Sequence, residues 1–412
     1  MQNIVIARPY RFVPPGRGGV WPKLLRLWVP GHLRRSFGVA SVTCRFVERL
    51  QASVDAGRGI LLAPNHCRPY DPFVVDWLGR AVGRHVHIMA SWHLFMQSRV
   101  QAWLLQRAGI FSVWREGPDR ESLRCAIDIL ATAERPLVLF PEGVVSRHND
   151  RLNPLMDGTA LMARAAAKQR AEQTPPGRVV IHPVGIRWIF DGDVEATVAS
   201  MLDDVERRIA LEPRPSLPLR ERITRTGEAL LARKETEILG VAQRGDVAER
   251  KARVIEALLR PIEDEWVKGR QERDAGADVI ARVKAIRAAV VPGLVAAPED
   301  GGAGDAERAR RWRQIEDSYL AQQFACYPDG YLASPTPERI LETAERFEED
   351  LTDDVRAVPP LRAILDVGEA IEVAPERQRG RGGDPLMNVL RDRLLSLLAA
   401  SLAEFRPGAT LP

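Results

Sequence analysis

His66 and Asp71 stand five residues apart in the run Asn65-His66-Cys67-Arg68-Pro69-Tyr70-Asp71. A carboxylate beside a histidine fixes the imidazole tautomer, turns the other ring nitrogen outward and stabilises the imidazolium formed when that nitrogen takes a proton. Such a pair is the kit of a general base. A second polar group is Phe140-Pro141-Glu142-Gly143, followed by Ser146, Arg147 and His148. Its glycine permits close backbone approach, while the acid and the arginine can orient a polar or phosphorylated substrate. Arg115 closes a third run that opens at Gly109. The four cysteines show no CxxC pairing, so neither a zinc site nor a disulfide framework is indicated and a reducing compartment fits best.

Each of these groups stands where an apolar run stops. Residues 60–63 end at Pro64, and similar runs at 86–89, 110–114, 136–140 and 179–184 read as buried strands. Helix-period stretches lie between several of them, at 95–107, 120–133 and 158–168. This alternation predicts an α/β fold with a largely parallel sheet flanked by helices, its strand ends carrying the functional loops. Beyond Asp191 the texture changes to charged helical stretches at 219–234, 247–260 and 337–351, separated by Pro/Gly breaks at 213–218 and 297–304. Residues 377–383 (RQRGRGG) read as a flexible loop, residues 363–373 as strand, and 385–403 as a helix with one apolar face.

At 412 residues the chain can bury a sizeable core without disulfides or metals. Its net charge of +4 hides an asymmetry: residues 1–190 carry 26 Lys and Arg against 13 Asp and Glu, whereas the remainder carries 33 against 42. In residues 1–60 only Glu48 and Asp55 oppose ten cations, which are interleaved with Tyr10, Phe12, Trp21, Trp28 and Phe37. That pattern suits an anionic surface, either lipid headgroups or nucleic acid. Trp21, Leu24, Leu25 and Trp28 fall at helical spacing beside Lys23, Arg26, Arg34 and Arg35, and Pro30-Gly31 are expected to break this short amphipathic helix. No secretory signal is visible at the N-terminus, and no uncharged run approaches the ~20 residues that span a bilayer.

Taken in order, these blocks resemble the glycerophospholipid acyltransferase family, which includes the lysophosphatidic acid acyltransferases. The NHxxxxD block is Asn65, His66 and Asp71; the GxxxxxR block is Gly109 to Arg115; the FPEG block is Phe140, Pro141, Glu142 and Gly143; and a Val-x-x-Pro-Val strand contains Pro183. The resemblance implies transfer of a fatty acyl group from an acyl thioester, either acyl-CoA or acyl carrier protein, to a hydroxyl of a glycerol-based lysophospholipid. His66 would be the general base oriented by Asp71. Arg115, Glu142, Gly143 and Arg147 would bind the acceptor, and Asn65, Gly109, Phe140, Pro141 and Pro183 would support the site. A thioester is already activated, so the reaction requires neither a metal nor any cofactor beyond this co-substrate. Where the commonest family version reads FPEGTRS, this chain has Val144 and Val145 before Ser146. It therefore lacks a hydroxyl and a cation at their usual places.

The expected organisation is a basic, membrane-facing segment at 1–58, an acyltransferase core at 59–200, a charged helical insertion at 201–360, and a returning strand with closing helix at 361–405. The Val367-Gly368-Glu369-Ala370-Ile371 stretch resembles the family's closing strand. The expected partners are an anionic membrane surface, the acyl thioester, a lyso-lipid acceptor and acyl carrier protein, with no nucleic acid, since no helix-turn-helix, zinc or RNA-recognition signature accompanies the charge. A cytoplasmic protein, peripheral on the inner face of the membrane, follows. Alternatives are a catalytically altered lipid-binding protein, an acyltransferase for an acceptor without phosphate, and a hydrolase, the last disfavoured because no GxSxG elbow is present.

Overall fold

Residues 59–64 offer water no polar side chain, so as a strand they have to be covered on both faces. The computed structural model describes residues 8–117, 119–267, 278–295, 304–354, 356–376 and 384–412. Its strands are β1 (Val39–Arg45), β2 (Gly59–Pro64), β3 (His87–Ser91), β4 (Ile110–Val113), β5 (Leu137–Val138), β6 (Val179–Phe190), β7 (Leu361–Val367) and β8 (Ile371–Glu372). Among the described residues they form an eight-stranded sheet in the order β1-β7-β6-β2-β5-β3-β4, with β8 also paired to β6. β6, β2, β5, β3 and β4 run parallel, and β7 with β1 beside it runs antiparallel to β6. The largely parallel sheet expected from the sequence is therefore present.

Alternation along β2 divides the core. Ile60 and Leu62 point into one apolar cluster with Val180, Ile186 and Trp188, while Leu61 and Ala63 point into another with Val179 and Ile181. The helices between strands are α1 (Val20–Phe37), α2 (Val47–Asp55), α3 (Asp71–Ala81), α4 (His93–Met96), α5 (Arg99–Arg107), α6 (Arg120–Thr132) and α7 (Gly158–Ala171). Among the described residues six more lie between β6 and β7: α8 (Val194–Arg208), α9 (Leu219–Leu239), α10 (Val247–Trp266), α11 (Val279–Val295), α12 (Asp305–Ala325) and α13 (Pro337–Thr352). α9 to α12 contribute to a third apolar cluster of their own, whereas α8 and α13 pack into the sheet's first cluster. α14 (Pro385–Phe405) closes the second cluster through Leu386, Leu390, Leu394 and Leu398.

Three expectations need correction. α1 does not break at Pro30-Gly31 but runs through both. Pro30 and Gly31 are exposed, so the helix carries both on its solvent-facing side, where a lost backbone hydrogen bond costs least. Residues 1–58 are not all a membrane-facing segment either, because β1 lies in the sheet and α2 packs on it through Leu50. Nor do all the N-terminal aromatics face outward: Tyr10 stacks on Trp114, Phe12 packs near Phe111, and Phe37 stacks on Tyr70. The stretch around them is tied to β4, with Ser112 N–H donating to the Val13 carbonyl at 3.1 Å. The 377–383 loop and most of the 297–304 break lie outside the described residues.

Candidate active site

Because β2, β3, β4 and β5 are parallel, the residues that follow them emerge along one edge of the sheet, where open α/β sheets bind ligands. His66 follows β2, Arg115 follows β4, and Phe140 to Gly143 follow β5. Asn65 is fully buried and holds the exit of β2 against β6: its side chain accepts from Ile186 N–H at 2.6 Å and donates to the Ile186 carbonyl at 3.0 Å. This pairing continues the ladder one residue past the strand, so His66 leaves the sheet from a fixed point.

Asp71 is the first residue of α3 and is fully buried. Its Oδ2 lies 2.9 Å from His66 Nδ1 and accepts Arg68 N–H at 2.8 Å; its Oδ1 accepts the Trp188 indole N–H at 2.8 Å. With Nδ1–H directed at the carboxylate, Nε2 is left as the acceptor nitrogen of the ring. The imidazole stacks on Phe140 with 4.0 Å between ring centres and remains partly exposed. The arrangement can accept a proton from a group presented at that edge.

Glu142 occupies a different place from the substrate-facing one expected. Its two carboxylate oxygens accept His66 N–H at 2.7 Å and Asn153 N–H at 2.8 Å, and the side chain is buried. Burial pushes its carboxyl up to about 8 against the pull of these two donors. Glu142 is thus a clamp between the histidine loop and the loop after β5. Gly143 has a φ of +68°, and a Cβ there would collide with Met156, so the turn requires glycine. Ser146 N–H and hydroxyl both donate to the His66 carbonyl, at 2.7 and 3.0 Å.

The two candidate arginines part company. Arg147 is held in the left-handed region and its guanidinium pairs with Glu349 of α13, so its charge is already met. Arg115 has no ion pair among the described residues, and burial lowers its pKa, as an undercompensated cation requires. Gly109, at a φ of +88°, turns the chain into β4 and accepts from His87 Nδ1 at 2.8 Å. Pro183 lies on β6, where its carbonyl accepts Gly368 N–H at 2.8 Å. Among the described residues no three His, Cys, Asp or Glu side chains are grouped to hold a metal ion.

A family profile described as Acyltransferase matches residues 41–187. Residues 41–187 are thus similar to the acyltransferase family. A 1-acyl-sn-glycerol-3-phosphate acyltransferase of Streptococcus pneumoniae is 32% identical over 107 residues, 26% of this chain and 37% of that protein, so the alignment spans little more than a third of the relative. The matched acyltransferase segment contains His66, Asp71, Arg115, Glu142, Gly143 and Arg147, while α8 to α14 and β7 lie outside it.

Several residues that build the candidate site carry little signal in the sequence. Trp188 is one; its only signal is a tryptophan in a largely apolar strand, whose buried N–H needs an acceptor. Arg68 is another: it is buried and bonds Glu345 of α13 at 3.0 Å. Asn149 and Asn153 complete the loop after β5, the first bridging to Trp188 and the second to Glu142.

Proposed function

We propose that the protein transfers a fatty acyl group from an acyl thioester to a hydroxyl of a glycerol-based lysophospholipid. His66 Nε2 takes the proton of the acceptor hydroxyl as its oxygen attacks the thioester carbonyl carbon. The C–S bond breaks, and the proton passes from the imidazolium to the departing thiolate. Asp71 holds the tautomer and offsets the positive charge of the ring while it lasts. The observation that carries this reading is the partly exposed His66 ring, bonded through Nδ1 to a buried carboxylate at the strand-exit edge of an acyltransferase-family domain.

The substrate named for the Streptococcus pneumoniae relative supports 1-acylglycerol 3-phosphate as the acceptor. Arg115 is the cation left to meet its phosphate, since Arg147 is engaged by Glu349. Acyl-CoA and acyl carrier protein are both donors of the right chemistry. We place the protein on the cytoplasmic face of an anionic membrane, in keeping with the exposed Trp21, Leu24, Leu27 and Trp28 of α1, the neighbouring Val100 and Trp103 of α5, and the exposed Lys23, Arg34 and Arg35. No helix among the described residues is long and apolar enough to cross a membrane.

A thioester-release assay against lyso-lipids with and without phosphate, with products identified by mass, tests the reading. His66→Ala should lower kcat by ~10²–10⁴-fold, and Arg115→Ala should raise KM for the phosphorylated acceptor by ~10-fold. Near wild-type transfer by His66→Ala would remove the proposed mechanism. A preference for an acceptor without phosphate would remove the role of Arg115 and leave that of His66.

A further inference from the structure

The exit of β4 does not end in solvent. Trp114 packs into the apolar cluster of the α9–α12 helices, and Glu116 pairs with Arg287 of α11. Arg287 is 4% exposed, and its guanidinium carbon lies 4.8 Å from the centre of the Tyr319 ring on α12. Arg115, beside Glu116, is within electrostatic reach of both. These groups come from opposite sides of the boundary between the matched segment and the helical region.

Their bonding is incomplete. Tyr319 is 7% exposed and its hydroxyl lies beside the Arg287 guanidinium, yet neither that hydroxyl nor Nε of Arg287 makes a well-formed hydrogen bond. Buried polar groups are ordinarily satisfied, so two such groups at one place leave hydrogen-bonding capacity for a ligand or water. The charge is also unbalanced, because Glu116 pairs with Arg287 while the neighbouring Arg115 has no ion pair among the described residues. His93 adds no charge: burial, reinforced by Arg115 and Arg287, pushes its imidazole down to about 4. Arg115 is only partly buried, which leaves the cluster a side open to solvent. One surplus positive charge, two unused donors and an opening describe a site for an anionic oxygen group.

We propose that Arg115, Arg287 and Tyr319 together form a phosphate site, in which the helical region completes a cradle begun at the exit of β4. The proposal rests on the acyltransferase reading for the identity of its ligand but not for the existence of the site. A phosphate oxygen would accept from the Tyr319 hydroxyl and from the free edge of Arg287 while Arg115 supplies the uncompensated charge. Two substrates of the proposed reaction bring phosphate: the acceptor through its headgroup and the thioester donor through its carrier. On this view the helices α11 and α12 take part in choosing a substrate, and Glu116 holds Arg287 in position.

The test uses the full chain and inorganic phosphate as the probe, read by thermal unfolding at constant ionic strength with chloride as the balancing anion. Wild type should gain a saturable rise in midpoint. Tyr319→Phe keeps the ring and removes only the hydroxyl; it and Arg287→Lys should raise the apparent Kd for phosphate by about 10-fold, one charge-assisted contact. Lys284→Ala, an exposed change on α11, should leave it unaltered. In turnover assays Tyr319→Phe should raise one KM with little change in kcat: that of the phosphorylated acceptor if the headgroup occupies the site, that of the acyl thioester if the carrier does. Loss of phosphate protection in a protein that turns over no thioester would keep the site and overturn the acyltransferase reading. The proposal falls if wild type shows no saturable phosphate effect, or if Tyr319→Phe moves neither the apparent Kd nor either KM.

Discussion

The buried Asp71 carboxylate is aimed by three donors that converge on it, from His66, Arg68 and Trp188. Trp188→Phe removes one of them and leaves part of a fully buried ring's volume empty. That variant should lose at least about 1.5–3 kcal/mol of stability, the worth of the hydrogen bond to the carboxylate before the cavity is counted, and kcat should fall while KM changes little, as steady-state kinetics and urea unfolding will show. Glu342 presents the opposite case. Burial pushes its carboxyl up from 4.5 to about 8, against the pull of Arg68. The folded protein keeps this proton where the unfolded chain has released it, so the contribution is whole below about pH 4.5 and is lost as pH climbs towards 8. Stability should therefore decline from pH 6.5 to 8, with Glu342 adding at most about 1.4 kcal/mol per pH unit. Glu342 accepts Asn149 N–H at 3.1 Å and the Tyr331 hydroxyl at 2.5 Å. A glutamine can accept the first and donate to the second, so Glu342→Gln should keep the fold and flatten that slope. A slope unchanged in this variant would assign the pH dependence elsewhere.

Helices α1 and α5 meet through Trp21 and Trp103, whose ring centres are 4.6 Å apart, and leave Leu27 81% and Trp28 54% exposed. Arg26 is turned inward to a bidentate pair with Asp76 at 2.8 and 2.9 Å, so Lys23, Arg34 and Arg35 are the cations of α1 left for an anionic surface. Leu27→Glu should weaken binding to anionic vesicles without lowering the unfolding midpoint, since the side chain has little packing to lose. Wild-type binding should fall with salt, each exposed cation contributing ~1 kcal/mol near such a surface; sedimentation with vesicles measures both. At this scale the sequence was legible where local pattern and tertiary demand agree. The apolar run 60–63 lies within β2, and 158–168 lies within α7 because its alanines pack closely. β1 escaped notice because it lacks a clean alternation and its partner β7 is remote in the chain. The continuation of α1 through Pro30 was equally hidden, because it depends on which face of the helix meets water. The charge partner of Arg147 could not be read at all, since Glu349 is two hundred and two residues away.

In the whole molecule, α13 ties the helical region to the candidate site. Its Glu342, Glu345 and Glu349 reach Asn149, Arg68 and Arg147, while Glu338 accepts Phe190 N–H at 3.2 Å. β7 then enters the sheet between β1 and β6. Ending the chain at residue 357 should therefore yield an insoluble product, because it strips both neighbours of their ladder and removes α14 from the second core. Soluble expression and circular dichroism decide this, and a folded 1–357 fragment would refute it. The position of β7 also sets the order of events during synthesis. Val39 leaves the ribosome long before the strand that pairs with it, which begins at Leu361. Until then β1 and one edge of β6 are open templates for other chains, and the sheet's first core lacks a wall. The sheet cannot close until β7 has been made, an order that should slow folding and prolong the exposure of these edges.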